Sequence, residues 1–239
     1  MELVEKKDNM IAFKAEIDES LANAIRRYLG QVPTLAVDEV EIYKNDSPLY
    51  DETIAHRIGL IPLKMEKGVS EKSDIKLTLS STKEGLVYSR EFKGNADVVY
   101  DKIPITSLNK GQELELIATA KLGKGAEHAK FSPGLMFYRN IFEIKVDKHL
   151  VDKIKKIFPD LEIKEKGDKA VIIDDKRKEV TDACEGIAER AGKKAEVNST
   201  NELLITVESF GQIEPKDIFK KAIDALRKDL ADVAKKISK

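Results

Sequence analysis

The chain has 239 residues and a mass of 26.8 kDa, which fits one large domain or two to three small ones. Lysine and arginine number 42 against 43 aspartates and glutamates, a formal net charge of -1; this excludes a chain whose main task is gripping nucleic-acid phosphates, which calls for a basic excess. The single cysteine, Cys184, excludes an intramolecular disulfide and points to a reducing compartment.

Hydrophobic residues at 41% support a real core. Charged residues at 36% exceed the usual quarter, a richness shared with proteins of hot environments. Residues 1–10 are charged and lack the apolar stretch of a signal peptide, and no apolar run approaches the roughly 20 residues needed to span a bilayer. A cytoplasmic protein without membrane contact is expected.

In chain order, Ile11, Phe13, Ala15 and Ile17 alternate with polar residues and predict a half-buried strand. Asp18 or Ser20 can cap a helix, on which Leu21, Ala24, Ile25, Tyr28 and Leu29 share one face. Gly30 stands where a C-terminal cap belongs, and Pro33 prevents continuation. A strand follows over 34–43, with a turn at Asn45-Asp46-Ser47-Pro48. A short helix is predicted over 51–60, closed by Gly59 and Pro62. From there to about residue 145 the pattern is mainly β, with strands expected at 75–79, 86–92, 96–100 and 114–120. Residues 149–158 predict a helix ended by Pro159, 161–173 a hairpin turning at Lys166-Gly167-Asp168, and 178–191 a second helix. Leu203, Ile205 and Val207 alternate as a final strand. Pro215 then opens the last helix at a favoured first position. The fold class is α+β.

The last helix carries the clearest interaction signal. Phe219, Ile223, Leu226, Leu230, Val233 and Ile237 are spaced four, three, four, three, four, a 3.5-residue repeat suited to a seam between helices. The alternative is an ordinary amphipathic helix packed on its own sheet. Ile218, Ala222 and Ala225 broaden the apolar face early in the helix, and beyond Asp229 the stripe narrows. The late part of the seam is therefore the part expected to need a second chain.

Four blocks, in order, carry a resemblance. They are Leu21-Ala22-Asn23-Ala24-Ile25-Arg26-Arg27, the strand Val37-Asp38-Glu39-Val40, the run from Asp51-Glu52-Thr53-Ile54-Ala55-His56-Arg57 to Ile58-Gly59-Leu60-Ile61-Pro62-Leu63, and Ala118-Thr119-Ala120-Lys121-Leu122-Gly123-Lys124-Gly125 leading into Glu127-His128-Ala129-Lys130-Phe131-Ser132-Pro133. With the last strand and helix, this order resembles the D-type subunit of archaeal RNA polymerase. That family includes the bacterial alpha N-terminal domain and the third subunit of eukaryotic polymerase II.

The resemblance implies a dimerisation domain from residues 1–45 and 199–239, an inserted β-rich domain over 46–148, and a small ferredoxin-like subdomain over 149–198. It implies a non-catalytic assembly subunit that pairs with a small L-type subunit through the seam and forms a platform for the large catalytic subunits. Nucleotidyl transfer then belongs to the whole DNA-directed polymerase, with no catalytic residue in this chain. By similarity, Asn23, Arg26, Arg27, His56, Arg57, Gly59 and Pro62 are expected to dock a large subunit. Arginine's planar fork suits such interfaces, although adjacent arginines also occur as solvated helix faces.

The chain also departs from the family. Many archaeal relatives hold an iron–sulfur cluster in the region of 149–198, and a [4Fe–4S] cluster takes four thiolates. Only Cys184 is present, so no cluster is expected, and Cys184 reads as a small apolar residue. Eukaryotic relatives hold zinc in the second domain, but 83–97 contains no Cys or His, and structural zinc needs four such ligands. The chain stops at the seam helix, so sequence-specific DNA contact of the bacterial type is not expected. An independent enzyme, with Asp174-Asp175 or the 121–130 loop as its site, lacks a nucleophile–base pair, a full phosphate loop or a metal cluster. A homodimer through the same seam is the remaining alternative.

Overall fold

In the computed structural model, which describes residues 1–65, 68–70, 73, 75–175 and 180–238, the chain opens on a hairpin. β1 (Glu2–Lys7) pairs antiparallel with β2 (Met10–Ala15). β1 is too charged to show a strand pattern, and its side chains stay mostly in solvent, as suits the edge of a sheet. α1 (Glu19–Tyr28) follows, and its inward line is Ala22 and Ile25, continued by Leu29. Leu21, expected on the inward face, is 45% exposed. The helix tightens into a 3-10 turn, Leu29–Gln31, that holds Gly30. Gly30 has no left-handed φ and is not a cap of that kind; its carbonyl instead accepts from the Ala126 N–H at 3.0 Å.

β3 (Thr34–Asn45) leads to α2 (Asp51–Gly59) through a turn in which the Asn45 side chain accepts from the Ser47 N–H. Gly59 is the last helical residue and also lacks a positive φ, so the expected glycine closure is replaced by the Leu60 and Ile61 N–H groups donating to the Arg57 and Ile58 carbonyls. β4 (Ile75–Ser81) alternates cleanly, with Ile75, Leu77, Leu79 and Ser81 inward. β5 (Gly85–Tyr88) is shorter than expected because a 3-10 turn, Ser89–Glu91, replaces its second half. β6 (Lys93–Gly94) and β7 (Pro104–Leu108) follow. The strand expected at 96–100 is reduced to a single bridge between Leu63 and Val98. β8 (Leu114–Gly123) pairs antiparallel with both β3 and β4, giving the order β3-β8-β4-β6 beside a two-stranded β5-β7 ribbon. Ile54 and Ile58 of α2 share one core with Leu77, Leu79 and Leu116. Burial of two such isoleucines contributes on the order of 4 kcal/mol.

β9 (Gly134–Asp147), α3 (Val151–Ile157), β10 (Ile163–Lys166), β11 (Lys169–Asp174), α4 (Thr181–Arg190) and β12 (Glu196–Ser209) come next. The hairpin between β10 and β11 turns at Gly167, whose φ of +62° suits glycine. The predicted start of the second helix at Lys178 lies outside the described residues. The larger sheet runs β1-β2-β12-β9-β11-β10. β12 is central in it, and Leu203 to Val207 are all buried rather than alternating, as in a strand covered on both faces.

Asp174, 1% exposed as a side chain, accepts from Arg139 Nη2 at 2.8 Å and, through its second oxygen, from the Val180 N–H and Thr181 Oγ1 at 3.2 and 2.8 Å. It thereby ties the end of β11 to the residues that open α4. Asp175 accepts from Lys14 at 2.6 Å. Both carboxylates of the Asp174-Asp175 pair are thus engaged in contacts within the fold. α5 (Pro215–Ile237) ends the chain.

By contacts the chain forms two compact units, residues 1–23 with 136–207 and residues 24–135 with 208–239. Their limits fall elsewhere than the three-part division by role. Among the described residues no helix is long and apolar enough to cross a membrane.

Candidate interaction surfaces

α5 starts on Pro215, which needs no backbone donor at that place. Ile218, Phe219 and Ala222 are buried, and the helix lies against the 3-10 turn at Leu29–Gln31. Ile223, Ala225 and Leu226 are half-buried, and every residue from 227 to 238 is exposed. Leu230 is 59% exposed, Val233 51% and Ile237 80%. The predicted six-residue seam is therefore split by its surroundings, as the narrowing of the stripe indicated. At the divide, Tyr28 Oη donates to Asp229 at 3.0 Å, and that carboxylate pushes the phenol's pKa above its usual value.

Arg26 and Arg27 are exposed on the last turn of α1, and Asn23 is exposed one turn earlier. The exposed His56 and Arg57 end α2, where the Arg57 guanidinium opposes the negative end of the helix dipole. Arg57 is not wholly turned to solvent, since its Nη2 donates to the Pro104 carbonyl at 2.6 Å. Pro62 is half-buried and its carbonyl accepts from the Val99 N–H.

Sequence reasoning missed the ionic cluster that joins two of the four blocks. Asp38 accepts from Lys121 Nζ at 2.6 Å and Lys130 Nζ at 2.8 Å. The lysines hold its carboxyl below the usual range, Lys121 first and Lys130 second, against a smaller opposing effect of burial. Asp38 stands at a bulge, because the pairing of β3 with β8 passes from Val37 to Glu39 with a shift of register. A bulge re-aims a side chain. One signal was available: Val37 and Val40 are three apart in a strand whose apolar positions should recur every two. Nearby, the Phe131 ring lies so close to Gly123 that an added Cβ would stand 2.6 Å from it, so Gly123 serves packing rather than phosphate binding.

Asp38 and Lys130, but not Lys121, border a cleft of about 240 Å³ between β3, the end of α2 and the 128–130 turn, with His56, Gly59 and Leu60 on one wall and His128 and Lys130 on the other. His128 Nδ1 accepts from the Lys130 N–H at 3.1 Å. The structure brings His56 and Gly59 to this cleft; Arg57 and Pro62 do not line it.

Cys184 is fully buried in a core with Ile144, Leu150, Ile154 and Ile172, and burial pushes its thiol up to about 11. A single shielded thiol held protonated does not fit a four-thiolate cluster.

The family model for the RNA polymerase Rpb3/Rpb11 dimerisation domain matches residues 15–230. The DNA-directed RNA polymerase subunit Rpo3 of Archaeoglobus fulgidus is 34% identical over 260 aligned positions, covering 98% of this chain and 96% of that one. The Pyrococcus furiosus protein of the same name is 43% identical over 171 positions, 66% of each chain, and the Pyrococcus horikoshii protein is matched over 62% of its length. The DNA-directed RNA polymerase II subunit rpb3 of Dictyostelium discoideum is 30% identical across 98% of this chain and 93% of its own. The chain belongs to the RNA polymerase Rpb3/Rpb11 dimerisation-domain family.

Proposed function

We propose that this chain is a non-catalytic assembly subunit of a cytoplasmic DNA-directed RNA polymerase, which pairs with a small L-type subunit and then carries the large catalytic subunits. The observation that carries the reading is the second half of α5. Three large apolar side chains recur there at seam spacing and all face solvent. Exposure of that kind on a regular stripe marks an interaction site, and a matching helix would cover it at 3.5-residue spacing. Phe219, Ile223 and Leu226 hold the helix to its own unit, so that Leu230, Val233 and Ile237 are presented to the partner.

In this reading the chain ends, 1–45 and 199–239, form the dimerisation domain, 46–148 the inserted domain and 149–198 a ferredoxin-like subdomain. Asn23, Arg26, Arg27, His56, Arg57, Gly59 and Pro62 mark the large-subunit face. An iron–sulfur cluster and the second-domain zinc are both expected to be missing, since Cys184 is the one thiol and 83–97 contains no Cys or His.

Expression of the chain alone and together with its small partner tests this. Alone it is expected to self-associate or precipitate, and together to form a stable 1:1 complex free of stoichiometric iron and zinc. A monodisperse monomer indifferent to the small subunit would overturn the reading, and a stable homodimer that excludes the small subunit would favour the bacterial arrangement instead.

A further inference from the structure

The end of β4, the turn after it, the 3-10 turn Ser89–Glu91 and β6 border a groove of about 590 Å³, within the roughly 300–1,000 Å³ of ligand sites. Lys83, Arg90 and Lys93 line it; all three are exposed, and among the described residues none forms an ion pair. Its carboxylates are Glu84 and Glu91, so three cations face two anions and one positive charge is in excess. Glu91 is engaged within the fold: one oxygen accepts from Ser81 Oγ and the other from the Tyr88 N–H, each at 2.9 Å. That brace ties the 3-10 turn to the end of β4 and so fixes the backbone that carries Arg90 and Lys93. The Arg90 guanidinium lies 5.0 Å from the centre of the Tyr88 ring, a contact that restrains it. Lys93 is set beside Thr78 by the pairing of β6 with β4, and Ser80 and Thr82 add exposed hydroxyls. Just outside the lining, exposed Glu115 opposite Ser80 and exposed Lys76 on the same face of β4 bring one charge of each sign.

We infer that this groove holds the phosphate backbone of a nucleic-acid strand, without reading its sequence. One phosphodiester carries a single negative charge, which brings the lining to balance. Arginine and lysine donors give it charge-assisted bonds, with the planar fork of Arg90 suited to two phosphate oxygens at once. That the phosphate comes from nucleic acid rests on the polymerase role proposed above. The formal charge of -1 on the whole chain confines this contact to an auxiliary one, local to the groove.

The test is titration of a fluorescent DNA duplex, read by anisotropy between about 50 mM and about 200 mM salt. It uses the full chain co-purified with the small subunit, or by itself if the two do not pair, so that failed pairing and failure of this inference are read separately. The triple variant Lys83→Ala, Arg90→Ala, Lys93→Ala is compared with Lys153→Ala, Lys155→Ala, Lys156→Ala, which removes the same charge from exposed positions in the other compact unit. The groove variant is expected to bind about tenfold more weakly at low salt, and its salt slope to fall by about one for each cation removed. The control triple is expected to bind like the parent. If the two triples weaken binding equally, or neither does, the groove is not the site and the inference fails. At matched ionic strength, displacement of the duplex by inorganic phosphate or by a polyglutamate peptide as readily as by unlabelled duplex would also overturn it, in favour of a free anion or an acidic protein segment.

Discussion

The two halves of α5 share one sequence pattern and live in different surroundings. Phe219 is buried and Leu230, eleven residues on, is 59% exposed, although both occupy the same seam. Burial of the first half adds to the stability of this chain alone. The second half costs the free chain solvated apolar surface, and it repays that cost only when something covers it. A repeating pattern therefore specifies that a stripe will be buried, and the neighbouring structure decides by whom.

The sharpest way to break this comparison is to charge the exposed half. Leu230→Asp with Val233→Asp should abolish co-purification with the small subunit while leaving the chain's thermal unfolding unchanged, because an unpaired buried charge is costly only in the complex. Pairing that survives would remove the late seam from the interface. In the buried half, Phe219→Ala should lower stability by about 3 kcal/mol, read by urea denaturation, with partner affinity of the folded fraction retained.

Between the halves, Leu226→Ala should move both quantities by about 1 kcal/mol each, since that side chain is half-buried before any partner arrives. The smallest effect is expected at Tyr28. Its pKa is raised by Asp229, so the folded state holds the phenolic proton more tightly. The resulting stabilisation is present below the ordinary tyrosine value near 10 and lost as pH rises through the raised value. Tyr28→Phe should abolish that alkaline loss of melting temperature, and a variant that loses stability above pH 10 as the parent does would assign it elsewhere.

Much of the fold was legible because long periodic segments carry their own evidence. β4, α5 and the β10–β11 hairpin stand where alternation, seam spacing and Lys166-Gly167-Asp168 place them. β1 was illegible because an edge strand needs little apolar content, and in Glu2–Lys7 the two apolar residues, Leu3 and Val4, are adjacent rather than alternating. The stretch 96–100 misled for the opposite reason, since alternation there reflects one bridge and loop packing rather than a ladder. Leu21 was placed inward by spacing, yet helical spacing fixes only a stripe's width, and Ala22 won the inward position. The Asp38 cluster could not be read at all from local pattern, because its lysines lie 83 and 92 positions away. Long-range ionic contacts leave no period in a sequence, and only the three-residue gap between Val37 and Val40 hinted at the bulge that aims the carboxylate.

The burial of Cys184 has a practical side. At neutral pH a thiol with a pKa of about 11 is ionised to only about one part in ten thousand, and its core position denies reagents access as well. The chain is therefore chemically silent toward maleimides and spin labels, and a Val233→Cys variant would carry the one reactive handle, set in the middle of the exposed seam. Labelling speed at that handle would then report, in real time, when the stripe is covered at position 233.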